Sequence, residues 1–232
     1  MSMPAAERGT LPPRRTSIVV LLVFATLGSL LGLFTAGDNV LSIDVTVLEA
    51  IQKIDWPGVD TVARLSNAVF GTAGALVFAA LFVIVALMLD RRVFAVQLVV
   101  VVALRLAGQV LKPLFDSPRP GIEYQPDPSL VSDSMGYPSG HAFTATIITT
   151  VIVLFIHSLD VPRWLRVLSV VVAVLATLVA LFSRVRVGAH WPTDTIGGVC
   201  YGLATVALMQ LIVGAMLART GSLALSRTRR TA

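Results

Sequence analysis

Six stretches of the chain are apolar and nearly free of charge over lengths that suit a lipid bilayer. Residues 16–37 hold no charged side chain and follow Arg14 and Arg15. Residues 65–89 are charge-free and stop at Asp90, Arg91 and Arg92. Residues 93–111 are apolar except for Gln97, Arg105 and Gln109. Residues 139–156 are apolar after a polar start, residues 167–182 follow Arg163 and Arg166, and residues 195–218 run uncharged to Arg219. A spanning helix needs about 20 residues. The pattern therefore predicts an all-α polytopic membrane protein, a bundle of six transmembrane helices. The fifth run is short and is expected to borrow Trp164 and Leu165, or Ser183, at its ends.

The connections differ in kind. Residues 90–92 read as a tight turn and residues 157–166 as a short loop. In residues 38–64, Leu41, Val45, Leu48, Ile51 and Ile54 recur at helical spacing. That spacing predicts a short amphipathic helix at the membrane interface, between helices one and two. Residues 113–138 contain six prolines and read as a loop. The organisation expected is a tail over 1–15, one helical domain over 16–218 and a second tail over 219–232. No internal repeat is evident.

Composition supports the membrane reading. Hydrophobic residues make up 56% of the 232 positions and charged residues 13%, half the share of about 25% in a soluble domain. The net charge of +5 comes from basic residues beside apolar runs, and nothing resembles a nucleic-acid module, so no nucleic-acid partner is expected. The lone Cys200 cannot form an intrachain disulfide and reads as a buried thiol.

Counting Lys and Arg orients the bundle. With the N-terminus cytoplasmic, the inner segments hold Arg8, Arg14, Arg15, Arg91, Arg92, Arg163, Arg166, Arg219, Arg227, Arg229 and Arg230. The outer segments hold only Lys53, Arg64, Lys112, Arg119, Arg184 and Arg186, along with most of the acids, including Asp38, Asp44 and Asp194. The positive-inside rule favours this arrangement, with both termini cytoplasmic. The first run is too long for a signal-peptide core, and Thr35-Ala36-Gly37 is a poor cleavage site.

Three segments carry candidate chemistry, all at the outer level in this topology. In the first, Lys112 ends helix three and Arg119 follows in the proline-rich loop. The two cations could converge on one anion, since Arg offers a rigid fork of donors and Lys a point charge. Taken alone, they could equally anchor the helix end among headgroups. The second is Pro138-Ser139-Gly140-His141, just before helix four. A helix start presents unpaired N–H groups that bind phosphate. Ser139 can cap that helix or donate its hydroxyl to the anion, and Gly140 would let the anion approach the backbone. The third is Ser183-Arg184, then His190, then Asp194, bridging helices five and six. Pro192 suits a first helical turn, which leaves His190 at a loop–helix junction with a carboxylate beside it. Each of these also has a bland reading as capping or interfacial residues. Together, three cations, two histidines, one carboxylate and a helix start can make a phosphoryl-transfer site that requires no metal.

The spacing K-x6-R-P (Lys112, Arg119, Pro120), P-S-G-H (Pro138 to His141) and S-R-x5-H-x3-D (Ser183, Arg184, His190, Asp194) resembles the type 2 phosphatidic acid phosphatase (PAP2) family, the lipid phosphate phosphatases. Every fixed position matches, and the resemblance runs from about residue 20 to 217. It implies that His190 is the nucleophile and forms a phosphohistidine. Asp194 would accept a hydrogen bond from the other ring nitrogen, and His141 would protonate the leaving lipid oxygen. Lys112, Arg119, Arg184, Ser139 and the Gly140 N–H would hold the phosphate. The residues themselves do not decide which histidine attacks. The resemblance further implies a membrane lipid substrate in a bacterial cytoplasmic (inner) membrane, no cofactor, and hydrolysis at the outer face. Undecaprenyl diphosphate is the first substrate to test, with phosphatidylglycerol phosphate, phosphatidic acid and lipid A phosphate as alternatives. A lipid phosphotransferase is a rival of the same chemistry, and an anion transporter a rival of another class. The latter calls for broken helices near mid-membrane, whereas the polar cluster here lies at one face.

Arg105, seven residues before Lys112, lies on about the same helix face and needs a partner within the membrane, a carboxylate or a backbone carbonyl. Gly198 and Gly202 form a G-x-x-x-G step suited to close helix contact. His157 reads as interfacial, and Trp56, Trp164 and Trp191 fall near expected interfaces.

Overall fold

The computed structural model describes residues 11–230 apart from Asp38, with side chains as far as Arg219. Arg8, Asp38 and the side chains of Arg227, Arg229 and Arg230 lie outside the described residues. The helices are α1 (Arg14–Phe34), α2 (Ser42–Gln52), α3 (Val59–Phe70), α4 (Thr72–Met88), α5 (Arg92–Ala107), α6 (Lys112–Phe115), α7 (Gly140–Ser158), α8 (Arg163–Arg186) and α9 (Pro192–Arg230). A 3₁₀ turn over Gly108–Leu111 joins α5 to α6, so one span runs from Arg92 to Phe115. Among the described residues, five spans are long and apolar enough to cross a membrane, and α3 with α4 can supply a sixth. The outward faces are apolar: Leu22, Val77 and Leu175 are each more than half exposed. That suits lipid as the surrounding solvent.

The second run departs from expectation. It reads as one helix over 65–89, but the chain breaks at Gly71 and the two halves meet at 59°. Gly71 is extended, with φ −68° and ψ 169°. A Cβ on Gly74 would lie 2.2 Å from the carbonyl oxygen of Ala68, so the start of α4 tucks against the end of α3. Glycine is a weak helix former, and hydropathy is blind to a bend. The fifth run does borrow at both ends and fills Arg163–Arg186.

α7 and α9 form the centre. α7 packs on α8 and α9, and α1 lies along α9. The G-x-x-x-G step serves this contact: a Cβ on Gly198 would lie 2.6 Å from Ser139 O, and one on Gly202 would lie 2.6 Å from Thr146 Cβ. The second and third motifs are thereby held together. Phe94, Phe155, Val101 and Met209 fill the core between α5, α7 and α9. A buried pair, Gln97 Nε2 to Gln210 Oε1 at 3.1 Å, links α5 to α9, as polar side chains do between helices in lipid. α2 is amphipathic and shorter than the spacing suggested, since Ile54 lies beyond its end. Its Leu48 packs on Val185 and Trp191 at the motif-bearing end of the bundle.

Candidate active site

The chain runs from α6 through a proline-rich loop, so Lys112 and Arg119 approach from one side. α7 begins at Gly140 with Ser139 as its N-cap residue. α9 begins at Pro192, one turn ahead of which the chain leaves α8 through Gly188, at φ +65°. That left-handed turn suits glycine, and it places Ala189 and His190 across the ends of α8 and α9.

His190 is the hub. Its side chain is 2% exposed, and Nδ1 lies 3.4 Å from Oδ2 of the fully buried Asp194. The two are close without an aligned hydrogen bond, a looseness common before substrate binds. Asp194 Oδ2 also accepts from Trp191 N at 2.9 Å, which ties the carboxylate to the turn that carries His190. On the other side of the ring, Arg119 Nη1 stands 3.3 Å from His190 Nε2, and the same nitrogen donates to Ala189 O. Burial, then the charges of Arg119, Arg184, Lys112 and His141, push the His190 imidazole well below its ordinary value. A neutral imidazole carries the lone pair that a nucleophile needs. Arg119 is itself lowered by its burial, but an arginine remains charged.

The three cations converge on one loop. Lys112 Nζ donates to Ser134 Oγ at 3.3 Å and to Met135 O. Arg119 Nε donates to Ser134 O at 2.6 Å, and Nη2 to Ser134 Oγ at 3.2 Å. Arg184 Nη2 donates to Leu130 O at 3.0 Å. Carbonyl and hydroxyl oxygens of Leu130–Met135 thus take up donors that a phosphate would use. A cleft of about 410 Å³ lies beside Arg119, between Pro118 and this loop.

Ser139 does not cap α7 with its side chain. Its hydroxyl is buried without a protein partner, as is Arg184 Nε. Buried polar atoms ordinarily find partners, so these two are open to an anion. The Ser139 N–H donates to Asp194 O at 2.9 Å, which bonds the second motif to the third. A Cβ on Gly140 would lie 3.1 Å from Arg105 Nη2. Arg105 donates to Gly140 O at 3.0 Å and to Thr144 Oγ1 at 2.9 Å, and covers the Phe143 ring. Its partner is therefore a backbone carbonyl, one of the two kinds expected. An apolar cleft between α4, α5 and α7 leads up to this arginine.

The structure thus brings Lys112, Arg119, Ser139, Gly140, His141, Arg184, His190 and Asp194 to one end of the bundle. Among the described residues, no group of three or more His, Cys, Asp or Glu is placed to hold a metal ion. The PAP2 superfamily model matches residues 94–217, just over half of the chain. The chain belongs to the PAP2 superfamily.

Among PAP2 relatives, phosphatidylglycerophosphatase B of Bacillus subtilis is 32% identical over 108 residues, 46% of this chain and 51% of that protein. An undecaprenyl-diphosphatase of Sulfolobus acidocaldarius is 42% identical over 62 residues, 27% of this chain and 26% of that protein. The matches thus span about half and about a quarter of these two relatives. The crystal structure of a transmembrane PAP2 type phosphatidylglycerolphosphate phosphatase from Bacillus subtilis has the same fold. It has a TM-score of 0.63 at 22% identity, with 83% of this chain and 93% of that one covered.

Two residues at the PAP2 site escaped sequence reasoning. Asp44 of α2 is 1% exposed. Its carboxylate accepts from Thr193 N at 2.9 Å and from Thr193 Oγ1 at 2.6 Å, so it satisfies the start of α9. Its place on the apolar stripe, between Leu41 and Leu48, is the signal that could have found it. Asn67, near the end of α3, meets Arg184 through its side chain. Only its polarity inside a charge-free run hints at that.

Proposed function

We propose that this chain hydrolyses a lipid phosphate or diphosphate through a phosphohistidine on His190, at the outer face of a bacterial cytoplasmic membrane. The observation that carries the proposal is the environment of His190: a buried imidazole with a carboxylate 3.4 Å from Nδ1 and Arg119 3.3 Å from Nε2. An arginine only donates, so Nε2 holds the lone pair and Nδ1 carries the proton facing Asp194.

In the first step, Nε2 attacks phosphorus and a P–N bond forms as the P–O bond to the lipid breaks. His141, entering the step as the imidazolium, gives its proton to the leaving oxygen, because an alkoxide leaves poorly, and is left neutral to act as base in the next step. In the second step, water attacks phosphorus, His141 takes its proton, and the P–N bond breaks to free phosphate and His190. Lys112, Arg119, Arg184, the Ser139 hydroxyl and the Gly140 N–H stabilise charge on the phosphoryl oxygens throughout. Asp194 holds the imidazole in one tautomer and stabilises the cation formed as the P–N bond is made. With cations and N–H donors supplying the stabilisation, no step calls for a divalent ion. The apolar cleft leading to Arg105 suits access from the bilayer, and the excess of basic residues on the opposite side orients the site outward.

Phosphate release by purified protein decides the substrate. The four lipids to compare are undecaprenyl diphosphate, phosphatidylglycerol phosphate, phosphatidic acid and lipid A phosphate. At least one should yield phosphate with wild-type protein and none with His190→Ala. Release from none of them by wild-type protein would overturn the proposal. Transfer to an added lipid or sugar hydroxyl in place of release would make it a phosphotransferase.

A further inference from the structure

The bend between α3 and α4 brings Asn67 to the site. Its Oδ1 accepts from Arg184 Nη1. Its main-chain carbonyl accepts from Gly71 N at 3.0 Å and lies beside the His141 ring. Gly71 permits this approach: a Cβ there would lie 2.8 Å from Asn67 O and 3.5 Å from His141 Nε2. One residue therefore bonds to Arg184 on α8 and stands beside His141 on α7.

We propose that Asn67 is a positioning residue, orienting Arg184 with its side chain and His141 with its carbonyl. The inference rests on the reading of those two as phosphate ligand and proton donor. A carbonyl that accepts one N–H of a protonated His141 would fix that nitrogen and leave the other N–H for the leaving oxygen. A neutral amide orients the guanidinium without cancelling its charge, which leaves the full charge for phosphate. A carboxylate in its place would pair with Arg184 and compete with the anion. Asn67 O keeps its helical partner, Gly71 N, and its second lone pair faces His141.

The test compares purified full-length Asn67→Ala, Asn67→Asp and His190→Ala with wild type. The readouts are kcat and KM for phosphate release, inhibition by orthovanadate as a phosphate analogue, and thermal unfolding in detergent. Asn67→Ala should lower kcat/KM by about 10–100-fold, the range for lost supporting contacts, with part of the loss in kcat. Asn67→Asp preserves size and acceptor, so it should unfold near the wild-type temperature while binding orthovanadate at least about tenfold more weakly. A purely structural role predicts that Asn67→Asp resembles wild type in orthovanadate inhibition, and that result would overturn the inference. So would wild-type kcat/KM in Asn67→Ala when His190→Ala is inactive. Full turnover by His190→Ala would overturn the functional reading beneath it.

Discussion

Arg119 Nη1 approaches His190 Nε2 to 3.3 Å, across the imidazole from Asp194. The arginine that would bind phosphate therefore rests on the nitrogen that would attack it. Phosphate must enter between them, taking the guanidinium as a ligand and releasing the lone pair.

Asp194→Asn should keep the shape of the pair and lose its charge. The amide can present its NH₂ to Nδ1 and favour the wrong tautomer. By analogy with the corresponding change in a serine-protease triad, kcat should fall by about 10³-fold or more. Steady-state kinetics at saturating lipid would measure the loss.

The pH dependence follows from His190. Its folded value lies well below 6.5, chiefly because it is buried and secondarily because of Arg119. The nitrogen proposed to attack thus stays unprotonated as pH falls through 6.5, and His190 should impose no acid limb on kcat/KM in that range. Stability has the opposite sense. The unfolded histidine takes up a proton near 6.5 and the folded one does not, so this stabilisation is complete above 6.5 and declines as pH falls below it. Thermal unfolding in detergent at pH 7 and pH 5 should show a decline that is smaller in His190→Gln.

Asp44→Ala should leave Thr193 N and its hydroxyl without their partner at the start of α9. A buried donor left unpaired costs about 1–3 kcal/mol. The thermal midpoint should fall accordingly, and kcat should fall with it, because Asp194 is the next residue.

Gly198→Ala would drive a Cβ to within 2.6 Å of Ser139 O. Backbone cannot yield as a flexible side chain can, so α7 and α9 must separate. Overpacking of this kind costs about 1–3 kcal/mol, and the shift moves Ser139 relative to His190. Activity and thermal midpoint should both decline, whereas Gly37→Ala, which meets no atom within 4 Å, should cost little beyond the strain of its positive φ.

The spans were readable because lipid forces each crossing segment to pair its own backbone, which demands long unbroken apolar runs. The break at Gly71 was not, because a charge-free segment has one hydropathy whether straight or bent. Motif spacing anticipated that Lys112, Arg119, His141, Arg184 and His190 would converge. It gave no sign that Leu130, Ser134 and Met135 oxygens would hold those cations, since a backbone carbonyl leaves no mark in side-chain chemistry. Ser139 shows a middle case: its hydroxyl had two possible uses, and only the three-dimensional arrangement shows it free of a capping bond.

The covalent step can be tested directly. Purified protein mixed briefly with ³²P-labelled lipid phosphate and quenched in alkali should carry one acid-labile, alkali-stable label, mapped to a peptide containing His190. His190→Ala should carry none, and His141→Ala, which lacks the residue proposed to activate water, should not clear any label it forms. Full turnover with label absent from His190, or turnover retained by His190→Ala, would contradict the mechanism.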